Sequence, residues 1–118
     1  MAVLGNPFGA LVPRKITKAE LIQAVREDIV GELEAIYLYD AHVMATDDAL
    51  AKAVLSDIRD EEKAHIGELM TLLRHLDPNE AAHFASGQEE VREMMIGLGI
   101  NPDAQGEVEG ATVGSLLE

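Results

Sequence analysis

The sequence predicts an all-α protein: an antiparallel hairpin of two long helices followed by a shorter third helix. Two observations predict it. Apolar residues recur with helical periodicity over residues 21–45 and 49–76, and only a short polar turn separates the two stretches. The composition agrees: 47% of the 118 residues are hydrophobic but only 3% are aromatic. Ala, Leu, Ile and Val supply most of the apolar mass, where a β-sandwich needs more β-branched and aromatic side chains.

Residues 1–16 read as an N-terminal arm. The stretch from Met1 to Pro13 is mildly apolar but has no basic leader, and Gly5, Pro7, Gly9 and Pro13 interrupt it; it does not have the form of a signal peptide. Thr17 followed by Glu20 has the spacing of a capping box and marks the start of the first helix. Periodicity then runs to about Ala45, with Gly31 its one weak spot. Thr46-Asp47-Asp48 reads as a turn and a fresh N-cap, and the second helix continues to about Leu76. At about 1.5 Å per residue each helix is about 40 Å long. Asp77-Pro78-Asn79-Glu80 repeats the start signal, a cap followed by Pro at the first helical position. The third helix ends near Gly97 or Gly99 and has few apolar anchors (Phe84, Val91, Met94, Met95), so it is expected to pack across a neighbour. Residues 17–97 thus form one helical domain. Residues 98–118 are Gly-rich and acidic, a flexible tail by composition, and turn apolar again only over residues 111–117.

Charge and composition narrow the functions. Nine basic residues against 22 acidic ones give a formal charge of −13, a field that repels nucleic acid and anionic lipid and attracts cations. The plainer reading of such charge is solubility. The absence of Cys excludes disulfides, thiolate zinc sites and iron–sulfur clusters. No apolar run has transmembrane length, and a cytoplasmic location is expected.

The chemistry lies where the helical phase puts charge on apolar stripes. With about 100° per residue, Leu21, Val25, Glu32, Ile36, Tyr39 and Val43 fall within about 40° of one line, with Asp28 at its edge. On the second helix Leu55, Ile58, Glu62, Leu69, Leu73 and Leu76 share a face, and His65 lies beside Glu62. An unpaired carboxylate in an apolar seam costs several kcal/mol or takes up a proton, so three ionisable groups at the middle of two facing helices point to a cation. Glu62-x-x-His65 aims two side chains at one point. One Glu from one helix and Glu-x-x-His from its partner make half of the carboxylate-bridged di-metal ligand set, which needs four carboxylates and two imidazoles. The chain supplies two and one, so a homodimer about a two-fold axis is the minimum assembly. Oxygen-rich ligation with one imidazole per metal suits iron or manganese better than zinc.

The alternatives to each residue remain in view. Glu-x-x-His alone is common on solvated helix faces, and only its joint placement with Glu32 on two core stripes raises the metal reading above that background. Tyr39 fits a packed core tyrosine as well as a group that hydrogen-bonds a ligand or donates an electron. His42 flanks the stripe as a bystander, and His75 and His83 read as helix-end or surface residues. Glu34 and Glu61 point away from the stripe; a solvated face is the default and a cation-uptake role the sharper reading.

The segments Glu32-Leu33-Glu34-Ala35-Ile36-Tyr37-Leu38-Tyr39-Asp40 and Arg59-Asp60-Glu61-Glu62-Lys63-Ala64-His65 resemble the encapsulated ferritin family, ferritin-like di-iron cargo of encapsulin nanocompartments, over about residues 20–96. Thr112-Val113-Gly114-Ser115-Leu116 resembles the C-terminal targeting peptide by which cargo docks inside encapsulin shells. The resemblance implies a ferritin-like four-helix bundle completed by dimerisation, with a di-iron ferroxidase centre shared between two subunits. Its ligands are Glu32, Glu62 and His65, with Tyr39 beside it. It also implies ring-shaped assemblies, commonly decamers, and iron storage inside a shell in the cytoplasm. The family's better-known members take up metal at acidic residues flanking the ligand Glu. Here Glu34 is present but Gly31 precedes Glu32, which weakens that route, and Leu38 stands where they carry an aromatic residue. A rubrerythrin-like peroxidase using the same site, and a non-catalytic helical cargo or adaptor whose buried acids set dimer register, are the competing expectations.

Overall fold

The three helices start where local hydrogen bonding tells the backbone to turn. A computed structural model of the chain describes residues 14–104 and comprises α1 (Lys18–Met44), α2 (Ala49–Leu76) and α3 (Pro78–Gly97). Thr17 caps α1 in the predicted capping box: its hydroxyl accepts the Glu20 N–H at 3.2 Å, and the Glu20 carboxylate accepts the Thr17 N–H at 3.0 Å. Arg14 donates two further bonds to the same carboxylate, at 2.9 and 2.8 Å. Asp48 caps α2 by accepting the Ala51 N–H at 2.8 Å, which satisfies one of the donors a helix start leaves unpaired.

The chain divides into two units at Asp77 and Pro78. In the first, α1 and α2 form the predicted antiparallel hairpin. Val25, Ile29 and Leu73 form its core, with Ile22, Leu69, Met70 and Leu76 packed against them, and Val43 is fully buried nearer the turn. Arg26 pairs with Asp77 at 3.4 Å and ties the far end of the hairpin. Between the core and the turn lies a buried cation: Arg59, only 4% exposed, donates to Asp40 of α1 at 2.7 Å and to Asp60 at 3.1 Å. Burial works against its charge, but the bonds and charges of Asp40 and Asp60 outweigh this and raise its pKa.

The buried line differs from the predicted stripe in a way the contact explains. Two helices alone cover only a narrow strip of each other. On α1 that strip runs through Val25, Ile29 and Val43, whereas Leu21, expected on it, is 37% exposed at the open end of the hairpin. The flanks stay in water. Leu50, Val54 and Leu72 of α2 are 73%, 48% and 42% exposed, and Leu33, Tyr37 and Met44 of α1 are 53%, 73% and 65% exposed. By helical phase the last three lie about 100–140° around α1 from Glu32, so they form a separate stripe.

In the second unit α3 buries none of its residues. It ends at Gly99, whose φ of +77° lies in the left-handed region that glycine enters without strain. Gly99 N–H bonds Ile96 O and Ile100 N–H reaches back to Met95 O at 2.8 Å, a Schellman closure of the helix. Arg92 then holds Asp103 at 2.7 Å. The pentamer Thr112–Leu116 lies outside the described residues. No helix among the described residues is long and apolar enough to cross a membrane.

Candidate metal centre

Midway along the hairpin α1 contributes Glu32, and α2 contributes Glu62 and, one turn on, His65. All three offer a ligand atom, and these atoms lie within 4.8 Å of one another. They are the only such group of imidazole and carboxylate donors among the described residues. His65 Nδ1 stands 3.4 Å from Glu62 Oε2 and 3.6 Å from Glu32 Oε1. These separations are too long for good N–H···O hydrogen bonds. Donor atoms sharing one divalent ion at about 2.1 Å from it sit about 3.0–3.4 Å apart, close to the two separations made by His65 Nδ1.

Glu32 supplies a second observation. Its Oε2 is buried and has no hydrogen-bond partner. A buried polar atom without a partner costs about 1–3 kcal/mol and asks for an explanation; a bound cation gives one. The donor set of two carboxylates and one imidazole suits iron or manganese. The residues present therefore fit a metal.

The centre lies at an open edge. The side chains of Glu32 and Glu62 are 24% and 18% exposed, and that of His65 is 47% exposed. Glu32, expected at mid-stripe, keeps the helical phase of Val25 and Val43 to within about 20°, with one carboxylate oxygen buried and the side chain partly exposed. Tyr39 is half-buried on α1, two turns beyond Glu32. Glu34 is half-buried as well and has a partner of its own; it is not in the donor group. His42, His75 and His83 are exposed and also lie outside it. Arg59, buried beside this centre, is the interior residue that no local sequence signal marks, since an arginine on a helix reads as solvated.

The comparisons with known proteins place the chain by sequence and by fold. A family model described as EncFtn-like matches residues 10–92. The encapsulin nanocompartment cargo protein EncC of Myxococcus xanthus is 47% identical over 87 residues, which are 74% of this chain and 67% of that protein. The ferritin-like-encapsulin shell fusion protein of Pyrococcus furiosus is 42% identical over 89 residues; the match takes in 75% of this chain but only 26% of the longer fusion. Among solved structures, the encapsulated ferritin domain from Pyrococcus furiosus superimposes with a TM-score of 0.72 at 37% identity, over 85% of this chain and 99% of that domain. By fold and by sequence, the chain belongs to the EncFtn-like family.

Proposed function

We propose that the protein is a ferroxidase that oxidises Fe²⁺ to Fe³⁺ at a di-iron centre shared between two copies of the chain, feeding iron storage inside an encapsulin shell. The convergence of Glu32, Glu62 and His65 on one point, with an orphaned buried oxygen on Glu32, carries this reading. One chain holds half of a di-iron carboxylate ligand set, and two chains related by a two-fold axis supply the whole. The apolar flank of Leu50, Val54 and Leu72 on α2 gives that association a hydrophobic driving force. The resulting four-helix bundle is the smallest unit that holds the site, and ring-shaped assemblies, decamers in particular, are built from it.

Iron is the substrate here. The two ions leave the centre one electron poorer each, and dioxygen or peroxide takes the electrons. What the chain supplies is charge and position. Glu32 and Glu62 from both copies bring four negative charges to a poorly solvated point, which favours the more highly charged product ion over the reactant. His65 contributes a neutral donor that does not add to the charge. Tyr39, on the same helix face as Glu32, is assigned to hydrogen-bond a ligand carboxylate, and Glu34 gives arriving cations a negative surface.

A ferroxidase that feeds storage needs a volume in which the mineral grows, so a container is part of the reading. Relatives named as an encapsulin cargo protein and as a ferritin-like-encapsulin shell fusion support one. Docking is assigned to Thr112, Val113, Gly114, Ser115 and Leu116, and the protein then works inside a shell in the cytoplasm.

The test is kinetic. Replacing Glu32, Glu62 or His65 with Ala abolishes rapid iron oxidation while far-UV circular dichroism reports intact helices; wild-type rates in all three variants would falsify the assignment. Deleting residues 111–118 prevents co-purification with a shell, and loading that persists moves the docking site elsewhere.

A further inference from the structure

Arg59, Glu62 and His65 follow one another at intervals of three along α2. Each step of three turns about 60° short of a full revolution, so the three side chains form a ridge that crosses the helix obliquely. Their exposure records the crossing. Arg59 is 5% exposed, Glu62 18% and His65 47%. Arg59 thus sits in the seam with α1, Glu62 lies at its margin, and His65 emerges from it toward solvent. Any roll of α2 about its own axis moves all three together.

We propose that Arg59 is a positioning residue for the metal centre: by gripping Asp40 across the hairpin it sets the roll of α2 that brings Glu62 and His65 to Glu32. The proposal rests on the reading of those three residues as metal ligands.

The apolar contacts of the hairpin are non-directional and leave α2 free to roll by small angles. The guanidinium contact is directional. Nη1 donates to Asp40 at 2.7 Å, while Nε and Nη2 both donate to Asp60 at 3.1 Å. Asp60 is the next residue on the same helix, so it fixes the plane of the fork and leaves one nitrogen aimed at α1. Lys63 stands 3.6 Å from the same Asp60 oxygen and steadies it. The lever arm is short. A donor atom about 6 Å from the helix axis sweeps about 1.5 Å for a roll of about 15°. That is a large part of the 3.6 Å that separates His65 Nδ1 from Glu32 across the hairpin. A functional centre tolerates about 0.5 Å. A buried charge is weak evidence for stability, and its best-attested use is to fix register. Here the register in question is that of the ligands.

The variant Arg59→Met separates positioning from stability. It keeps the long stem, removes the buried cation, and leaves behind an Asp40 that is 52% exposed and solvated by water. The metal-free variant is expected to melt at or above the wild-type temperature. Its affinity for Co²⁺, used as a spectroscopic stand-in for Fe²⁺, is expected to fall about 10–100-fold, the range typical of groups that orient ligands. The visible cobalt bands shift with the ligand geometry. Arg59→Lys keeps the charge but not the fork, and gives an intermediate affinity. Wild-type affinity and bands in Arg59→Met overturn the proposal and leave the metal reading standing. So does a loss of affinity that merely tracks a loss of stability. A wild-type protein that binds no cobalt overturns both. Should Arg59→Met fail to fold, Arg59→Lys carries the test by the same criteria.

Discussion

Glu32 is where stability and function pull in opposite directions, and Glu32→Leu makes the conflict measurable. Its Oε2 is buried without a hydrogen-bond partner, which costs about 1–3 kcal/mol where no cation is bound. The side chain keeps 24% exposure, so water relieves part of that, and the lower end of the range applies. Leucine has a similar size and no polar atom to satisfy. The metal-free variant should therefore gain about 1 kcal/mol, equivalent to about 4–8 °C in melting temperature for a domain of this size. The same change removes one of the carboxylates that would hold the metal, so rapid iron oxidation should disappear. The assay is thermal unfolding in chelator at one fixed protein concentration, because association adds to apparent stability, paired with the absorbance rise on adding Fe²⁺ in air. Glu32→Gln is the control: it loses the charge, keeps the buried polar demand and gains no stability. A metal-free Glu32→Leu that melts well below wild type refutes the claim that the orphaned oxygen strains the empty site. Undiminished oxidation refutes its role as a ligand.

Three further outcomes are expected. Leu73→Ala empties the centre of the hairpin core, where Leu73 is 3% exposed, and should cost about 2–5 kcal/mol in urea unfolding; a loss below about 1 kcal/mol would place the main core elsewhere. Stripping metal with a chelator should shift the sedimentation profile toward smaller species, since each chain carries half of the ligands, and reloading with Fe²⁺ should reverse it. An unchanged profile means that apolar contacts alone hold the assembly. The Glu20 carboxyl, held by its bonds from Arg14 and then from Thr17, is lowered from an ordinary 4.5 to about 2. A depressed carboxyl stabilises the fold above its unfolded value, so the start of α1 should stay capped at neutral pH and loosen only as pH falls from about 4.5 toward 2. NMR titration of the Glu20 carboxyl reads this, and a midpoint near 4.5 contradicts it.

What the sequence revealed and what it hid divide along the range of the interactions. The caps at Thr17 and Asp48 and the start of α3 at Pro78 are settled within a few residues, and each appears where the spacing put it. The donor group is visible for the same reason, since helical phase alone carries Glu62 and His65 to one side of α2. The buried line of α1 was read less well. Phase alone does not say how much of a stripe one neighbour covers, so Leu21 was expected inside and Ile29 was passed over. Arg59 was hidden altogether. An arginine on a helix reads as solvated, and its partner Asp40 lies 19 positions away on another helix, beyond any local pattern.

The second exposed stripe of α1, Leu33, Tyr37 and Met44, has a bearing on counting. A dimer built on the Glu32 edge leaves this stripe uncovered, once on each chain. If the two-fold pairing at the metal centre is followed by a second two-fold pairing through this stripe, the contacts alternate around the assembly. A closed circle of two alternating self-complementary contacts cannot hold an odd number of members. Parity then becomes a signature of the metal site: native mass spectra should contain even multiples of the chain, and a closed ring of five or seven would mean that some copies carry an unfinished centre.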